Sequence, residues 1–492
     1  MSSRTSRSAA AVIAVVAATT FLATFNETFL NVALTPMMHD LGVGAGTIGW
    51  VTTAYMLAAA IMVPVTGFLY RSVRTHRLLL RALGLPLAGT VLGALAPNIV
   101  VVLVARVVQA LGTGMVVPIG MNLTLAVSAP ERLGTTMGVV SAMTTLGPSF
   151  GPIVAGAVLR LGDWHLLFVL FAVLVAAAWV AALVCVGDEA EITRPRLDAA
   201  STALISLALV GVLHGISTLF TGPVPVAVAS LVVGLAALAA FVLRQGRIAE
   251  PLIDLRPLRT RSFALGLAVI VLTLMIVFSM NIVLPMFLES ALGLSPLGAA
   301  GTLLPACILS CVLSPVAGRL YDRFGLRVLL PIALAVVAVF TGALSRLDGS
   351  AGPWLVMACY APVIAGTAFT MGPAQTFALS ALERPMHPHG TTIVSTCFQI
   401  AGCIGSSLFL GVLSGVLSGV QAGRLAAGDP MSAATASGFH AAALVAVGVA
   451  VAALALSFAL AGVERARRAE LRVRVGPRAD RERLDAGNVV VG

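Results

Sequence analysis

One carboxylate, Glu27, lies well inside the apolar stretches of this 492-residue chain, and one arginine, Arg106, lies inside another. A charge at the centre of a bilayer costs at least ~2.5 kcal/mol on insertion scales, so residues placed there are functional or paired. Protonated, Glu27 is neutral and cheap to bury. Ionised, it pairs with Arg106 or with a cationic guest. That is the chemistry of a proton switch, and the same two residues also suit a permanent structural ion pair. Asn26, Asn31 and Gln109 supply hydrogen-bonding groups expected in the same cavity. Glu27 lies about seven residues short of the end of its apolar run, and Arg106 about eight past the start of its own. At 1.5 Å per residue in a helix, antiparallel runs put both groups ~10–12 Å below one membrane surface.

The elements that position them follow from composition. The chain is 59% hydrophobic and 10% charged, which excludes a water-soluble domain and implies an all-α polytopic membrane protein. All 30 of its basic Lys+Arg residues are arginine. Without lysine there is no Walker-type phosphate loop and no Schiff-base chemistry. The chain therefore carries no ATPase of its own, and transport energy must come from an ion gradient or a separate subunit. The net charge of +10 sits in short loops beside apolar spans, where it sets topology and does not suit nucleic acid. The cysteines, Cys185, Cys307, Cys311, Cys359, Cys397 and Cys403, fall in or beside apolar spans and read as packing residues. No metal site, cofactor motif or nucleophile–base arrangement is present, so an enzyme is not expected. His214 reads as a packing histidine, and His387 and His389 as solvated loop residues.

Fourteen stretches are long enough to span, beginning with about 9–34, 47–70, 78–97 and 99–127 and ending with about 439–462. With the N-terminus inside, 26 of the 30 arginines fall on inner segments, eight of them in the tail from Arg465 to Arg483. This bias places both termini in the cytoplasm of a multi-pass inner-membrane protein. Two stretches also repeat: Gly67-Phe-Leu-Tyr-Arg71 returns as Gly318-Arg-Leu-Tyr-Asp322, and Asn31-Val-Ala-Leu34 as Asn281-Ile-Val-Leu284. The offset is about 250 residues, so helices 9–14 repeat helices 1–6. The expected organisation is a six-helix half over 1–190, an inserted hairpin over 191–255, a second half over 256–463 and a polar cytoplasmic tail over 464–492. That tail is expected to be disordered or to lie on the anionic leaflet. Parallel repeats of this kind rock around a central site.

These motifs resemble the major facilitator superfamily, and the inserted hairpin resembles its fourteen-helix drug:proton antiporter branch, the EmrB/QacA type that includes lincomycin-resistance exporters. The loop Gly318-Arg-Leu-Tyr-Asp322-Arg323-Phe-Gly325-Leu-Arg327 is similar to the family's gating-loop signature GxLxDRxGxR. Arg106-Val-Val-Gln109-Ala-Leu-Gly112-Thr-Gly114 is similar to a helix 4 motif that the family associates with proton transfer. Gly147-Pro148 through Gly151-Pro152 to Gly156 is similar to the helix 5 antiporter motif, which the resemblance ties to export. Small residues every four positions also make a flat face for tight packing or for a moving interface between halves. The chain departs from the pattern at Asn26, where the helix 1 motif usually has aspartate and the carboxylate comes one residue later at Glu27. Arg71 stands where the repeat has Asp322. Asp322 is expected to latch onto the helix N-terminus at Gly134-Thr135-Thr136, a contact that Arg71 is unable to mirror. The resemblance implies proton-coupled efflux of small amphipathic drugs, with protons, substrate and the bilayer as partners and no cofactor. A dedicated exporter of one metabolite, or a non-transporting receptor, are the alternatives.

Overall fold

The structure, a computed structural model, describes residues 9–188, 198–219, 223–348, 350–424 and 431–488; of residues 45, 296–297, 410, 413–424, 431–436 and 466–488 it describes the backbone only. Arg4, Arg7, Arg194, Arg196 and the tail arginines from Arg467 onward therefore lie outside the described side chains.

Fourteen helices among the described residues are long and apolar enough to cross a membrane. They are α1 (Ala9–Asp40), α2 (Gly46–Ser72), α3 (Thr75–Ala94), α4 (Ile99–Val127), α5 (Pro130–Val158), α6 (His165–Cys185), α7 (Ala199–Thr218), α8 (Val224–Gln245), α9 (Arg261–Ser290), α10 (Gly298–Phe324), α11 (Leu326–Leu344), α12 (Pro353–Ser380), α13 (Arg384–Phe409) and α14 (Ser437–Arg465). No strand occurs among them. A helix satisfies most of its backbone hydrogen bonds within its own segment, the condition that a hydrocarbon surrounding imposes. Their outer faces are apolar, as at Val173, Val232, Leu243, Val339 and Val451, a surface suited to lipid and not to water.

The internal repeat is visible in the packing. In the first six helices α1 packs on α5, α2 on α4, α3 on α4 and α3 on α6. The same pairs recur eight helices later as α9 on α13, α10 on α12, α11 on α12 and α11 on α14. Between the two sets, α5 meets α10 and α12, and α13 meets α2 and α4. Helices α7 and α8 pack on each other, with α7 resting on α2 and α13. Arg244 at the end of α8 grips Asp198 before α7 through Nε at 2.8 Å and Nη2 at 3.0 Å. These bonds, with that from Ser201, hold the Asp198 carboxyl well below the usual carboxylate range. His214 meets Ser230 Oγ of α8 at 3.2 Å, in keeping with a packing role.

One end of the bundle, here the terminal face, carries the start of α1 and the end of α14. At this face α10 stops at Gly325, whose φ of +76° reverses the chain into α11. Glu464, at the end of α14, accepts from the Leu326 N–H at 3.1 Å and so caps α11. Beyond it the last helix continues to Asn488. The tail was expected to be disordered or to lie on the anionic leaflet; the helix runs into it, and its many Arg and Ala residues are strong helix formers.

Candidate functional site

Arg106 is fully buried in α4, and a guanidinium in that position needs acceptors for its fork of donors. Neighbouring groups supply them for Nε and Nη1, while Nη2 has no hydrogen-bond partner among the described residues. Nε donates to the Val51 carbonyl at 3.2 Å. Nη1 donates to the Asn26 carbonyl at 3.2 Å, to Asn26 Oδ1 at 3.1 Å and to Gln109 Oε1 at 2.9 Å. Gln109 is held in turn, its Nε2 donating to Thr90 Oγ1 of α3 at 2.8 Å. The guanidinium carbon lies 3.9 Å from the centre of the Tyr55 ring, a cation–π contact. Tyr55 shares a hydrogen bond with Thr113 at 2.7 Å. Four helices thus converge on one arginine. Arg106→Leu is expected to destabilise the protein by about 3 kcal/mol, because it strands buried acceptors of Asn26 and Gln109. Melting of the purified variant in detergent reads this directly; an unchanged midpoint contradicts it.

Glu27 is not part of this cluster. Successive helical residues are 100° apart, so Asn26 turns to Arg106 while Glu27 turns to the space between the halves. There it lines a central cavity with Tyr55, Thr113, Ser141, Asn281 and Gln375. Among the described residues Glu27 takes part in no ion pair or hydrogen bond, although its charge and that of Arg106 interact. The structural ion pair between α1 and α4 is therefore absent. Asn26 and Gln109 serve the arginine and do not line the cavity wall. Asn31 is a further correction: it is exposed near the far face, where it accepts from Thr52 Oγ1 at 2.9 Å. Its repeat partner Asn281 does line the cavity. The residues missed in the sequence are Tyr55, Thr113 and above all Gln375, a polar residue in mid-span like Glu27 and detectable on the same ground.

The central cavity has a free volume of about 80 Å³, far below the size of a drug-like guest. It adjoins a vestibule of about 440 Å³ towards the far face, bounded by Pro148, Pro152, Gly156, Arg160, Asn281 and Glu289. Pro148 and Asn281 border both spaces. Of the antiporter-motif glycines, Gly156 borders the vestibule, whereas Gly147 and Gly151 do not lie between the halves. A Cβ on Gly147 would stand 2.0 Å from Thr24 Oγ1 and one on Gly151 2.5 Å from Thr28 Oγ1, so both pack on α1. Pro152 has no N–H to offer the Pro148 carbonyl, and Thr28 Oγ1 donates to that oxygen at 3.1 Å instead.

The halves close at the terminal face through other residues. Asp322 Oδ1 accepts from the Gly134 N–H at 2.7 Å, and Oδ2 accepts from Thr135 N at 2.9 Å and Thr135 Oγ1 at 2.7 Å. Thr136 turns away to Ser128. Gly318 makes this approach possible, since a Cβ there would lie 2.1 Å from the Gly134 carbonyl. Arg323 packs over Phe324 and Arg327 is exposed, so neither bridges the halves.

Arg71 has a different task from Asp322. Its Nη2 donates to the carbonyls of Pro251 at 3.4 Å and Leu252 at 3.3 Å in the linker after α8. In the same linker the Asp254 N–H donates to His389 Nδ1 at 2.9 Å. His389 is thus buried at the start of α13, not solvated, because the linker folds over it; His387 meets the Leu382 carbonyl. Burial pushes the Asp254 carboxyl up, but hydrogen bonds from Arg256 outweigh it and leave the group below its ordinary value. The linker therefore straps α2 to α13 where the mirror latch is missing. Arg71→Ala should speed tryptic cleavage within 246–260 about ten-fold, the loss of one charged hydrogen-bonding group. Cleavage at the native rate would show that the strap is held by something else.

Paired six-helix sets around a shared cavity are the architecture of a membrane transporter. The chain belongs to the Major Facilitator Superfamily, whose model matches residues 16–406. It is 32% identical over 398 residues to the lincomycin resistance protein LmrB of Bacillus subtilis, covering 80% of this chain and 83% of that one. It is 29% identical to the MFS-type transporter YcnB of the same species over 91% of this chain and 94% of that one. The multidrug resistance protein B homolog of Mycobacterium tuberculosis is 27% identical over 79% and 73% of the two chains. Among solved structures, the human organic anion transporter MFSD10 superposes with a TM-score of 0.58 at 12% identity, covering 91% of this chain and 99% of that one, a likeness of fold. The protein is a multi-pass membrane transporter and not an enzyme.

Proposed function

We propose that this chain is a proton-coupled exporter of small amphipathic drugs or antibiotics, with Glu27 as the group that exchanges proton for substrate. The observation that carries this reading is Glu27 itself, the carboxylate that lines the cavity between the two halves without a fixed partner. An unpaired carboxylate there is cheap only when protonated or when a cation sits beside it, so proton and substrate compete. The relatives named for lincomycin and multidrug resistance support the substrate class. The halves, residues 1–190 and 256–463, rock about the cavity, with the hairpin 191–255 as an insertion and 464–492 as the tail. The arginine bias puts the terminal face in the cytoplasm, so the latched state opens its vestibule outward. With no phosphate loop in the chain, the gradient and not ATP supplies the energy.

The reading is tested in cells stripped of their own drug pumps. Expression should lower ethidium accumulation and raise tolerance of lincomycin, and an uncoupler should erase both effects. Equal accumulation with and without the protein in the membrane would overturn it.

A further inference from the structure

We propose that Gln375 is a specificity-determining residue of the central cavity, its side-chain amide donating a hydrogen bond to an acceptor oxygen on the transported compound. This deepens the reading of the cavity as the substrate site and rests on it. Gln375 belongs to the middle of α12 in the second half, is 1% exposed and borders the cavity. Its Oε1 accepts from Ser141 Oγ of α5 at 3.1 Å, whereas its Nε2 has no partner among the described residues. A buried amide N–H without an acceptor is costly, and buried polar groups in folded proteins are otherwise almost always paired. The other buried side-chain atoms without a partner, on Thr20, Thr75, Arg106, Ser279 and Thr341, belong to residues off the cavity wall.

The wall hydroxyls do not meet that need, and Asn281 and Gln399, the other amides on the wall, are only half-buried. Thr24 donates to the Thr20 carbonyl, Thr144 to that of Val140 and Thr145 to that of Ser141, each one turn back. Thr113 is engaged with Tyr55, and Ser395 with the Met121 sulfur. The hydroxyls are thus spent inside the protein, and the Gln375 amide is the buried donor left for a guest. Glu27 stands on the first half and Gln375 on the second. A compound that meets both carries one cationic nitrogen and a carbonyl, ester or ether oxygen. Binding such a compound joins the two halves at the level where Ser141 and Gln375 already touch.

Equilibrium binding to the purified full-length protein tests this with two lipophilic monocations. Rhodamine 6G carries an ester oxygen, and tetraphenylphosphonium carries no acceptor. Gln375→Met is nearly isosteric, with Gln375→Leu as a second variant. Both should weaken rhodamine 6G about ten-fold and leave tetraphenylphosphonium within about two-fold. The retained probe shows that the variants are folded. Ser141→Ala breaks the tie between the halves but keeps the Gln375 amide N–H in place, so it should not reproduce the selective loss of rhodamine 6G. Equal loss of both probes in the Gln375 variants, matched by Ser141→Ala, would assign the residue to the tie between halves and overturn the proposal. So would unchanged binding of rhodamine 6G. Native protein that binds neither probe would refute the cavity reading itself.

Discussion

Glu27→Gln is expected to stop uphill export while leaving the fold and the binding of neutral substrates intact. Glutamine keeps the size of the side chain and its hydrogen-bonding capacity but holds it permanently in the uncharged form. The variant is thus fixed in the state that the wild-type carboxyl reaches only when protonated. The nearby titratable and charged groups are Tyr55 on the cavity wall and Arg106 behind it. Arg106 donates its hydrogen bonds to Val51, Asn26 and Gln109, so the substitution leaves that cluster undisturbed. Melting should therefore be unchanged, in contrast to Arg106→Leu. Net flux against a gradient should fall to the leak of the vesicles. A monocationic substrate should bind about ten-fold more weakly, since a hydrogen bond to a charged group is worth ~1.5–3 kcal/mol. A Glu27→Gln protein that still concentrates substrate at the native rate would remove Glu27 from the coupling step.

Asp322→Asn should release the terminal face. The carboxylate accepts three hydrogen bonds at the start of α5, two of them from backbone N–H groups that have no helical partner of their own. Helix N-termini favour negative charge, so both the bonds and the charge act in the same direction. Asparagine replaces one acceptor oxygen by a donor that faces those N–H groups. A loss of about 2 kcal/mol shifts the ratio of closed to open molecules roughly 30-fold. A cysteine at Ser314, which is 3% exposed and packed against Gly138, reports the opening. In a background without the native cysteines, its labelling by an impermeant maleimide from the terminal face should accelerate by that factor. Gly318→Ala should act in the same direction, because its Cβ collides with the Gly134 carbonyl. Labelling at an unchanged rate would mean that other contacts, the Arg71 strap among them, keep this face shut.

The parts legible in the sequence are those that depend on composition and on chain-local spacing. Span length and arginine placement are enough to count the helices, and the repeat at about 250 residues foretells the packing pairs that recur eight helices later. The Asp322 latch is legible because a carboxylate at one loop and a helix start at another are both local signatures. What faces what is not local. Periodicity states that Asn26 and Glu27 point 100° apart, but only packing decides which one meets Arg106. Asn31 was expected in the same cavity as Glu27, and in a regular helix it would share that residue's face. The backbone changes to a 3-10 helix over Phe29–Ala33, whose tighter turn rotates Asn31 off that face. The Arg71 strap depends on how a linker of irregular structure folds back, for which no periodic signal exists. The flat face of Gly147 and Gly151 was recognisable, but its partner proved to be α1 within the same half.

In the proposed mechanism, substrate and proton exchange at one carboxylate, Glu27. The most direct measurement uses proteoliposomes containing only this protein, loaded with acid and clamped at zero membrane potential. Ethidium suits the experiment because it is a permanent cation and carries no proton of its own. External ethidium is expected to release protons from the lumen of liposomes with native protein and to accumulate there in exchange, and Glu27→Gln to abolish both. Ethidium uptake that is indifferent to the pH gradient, or proton release that survives in the Glu27→Gln protein, would contradict this mechanism.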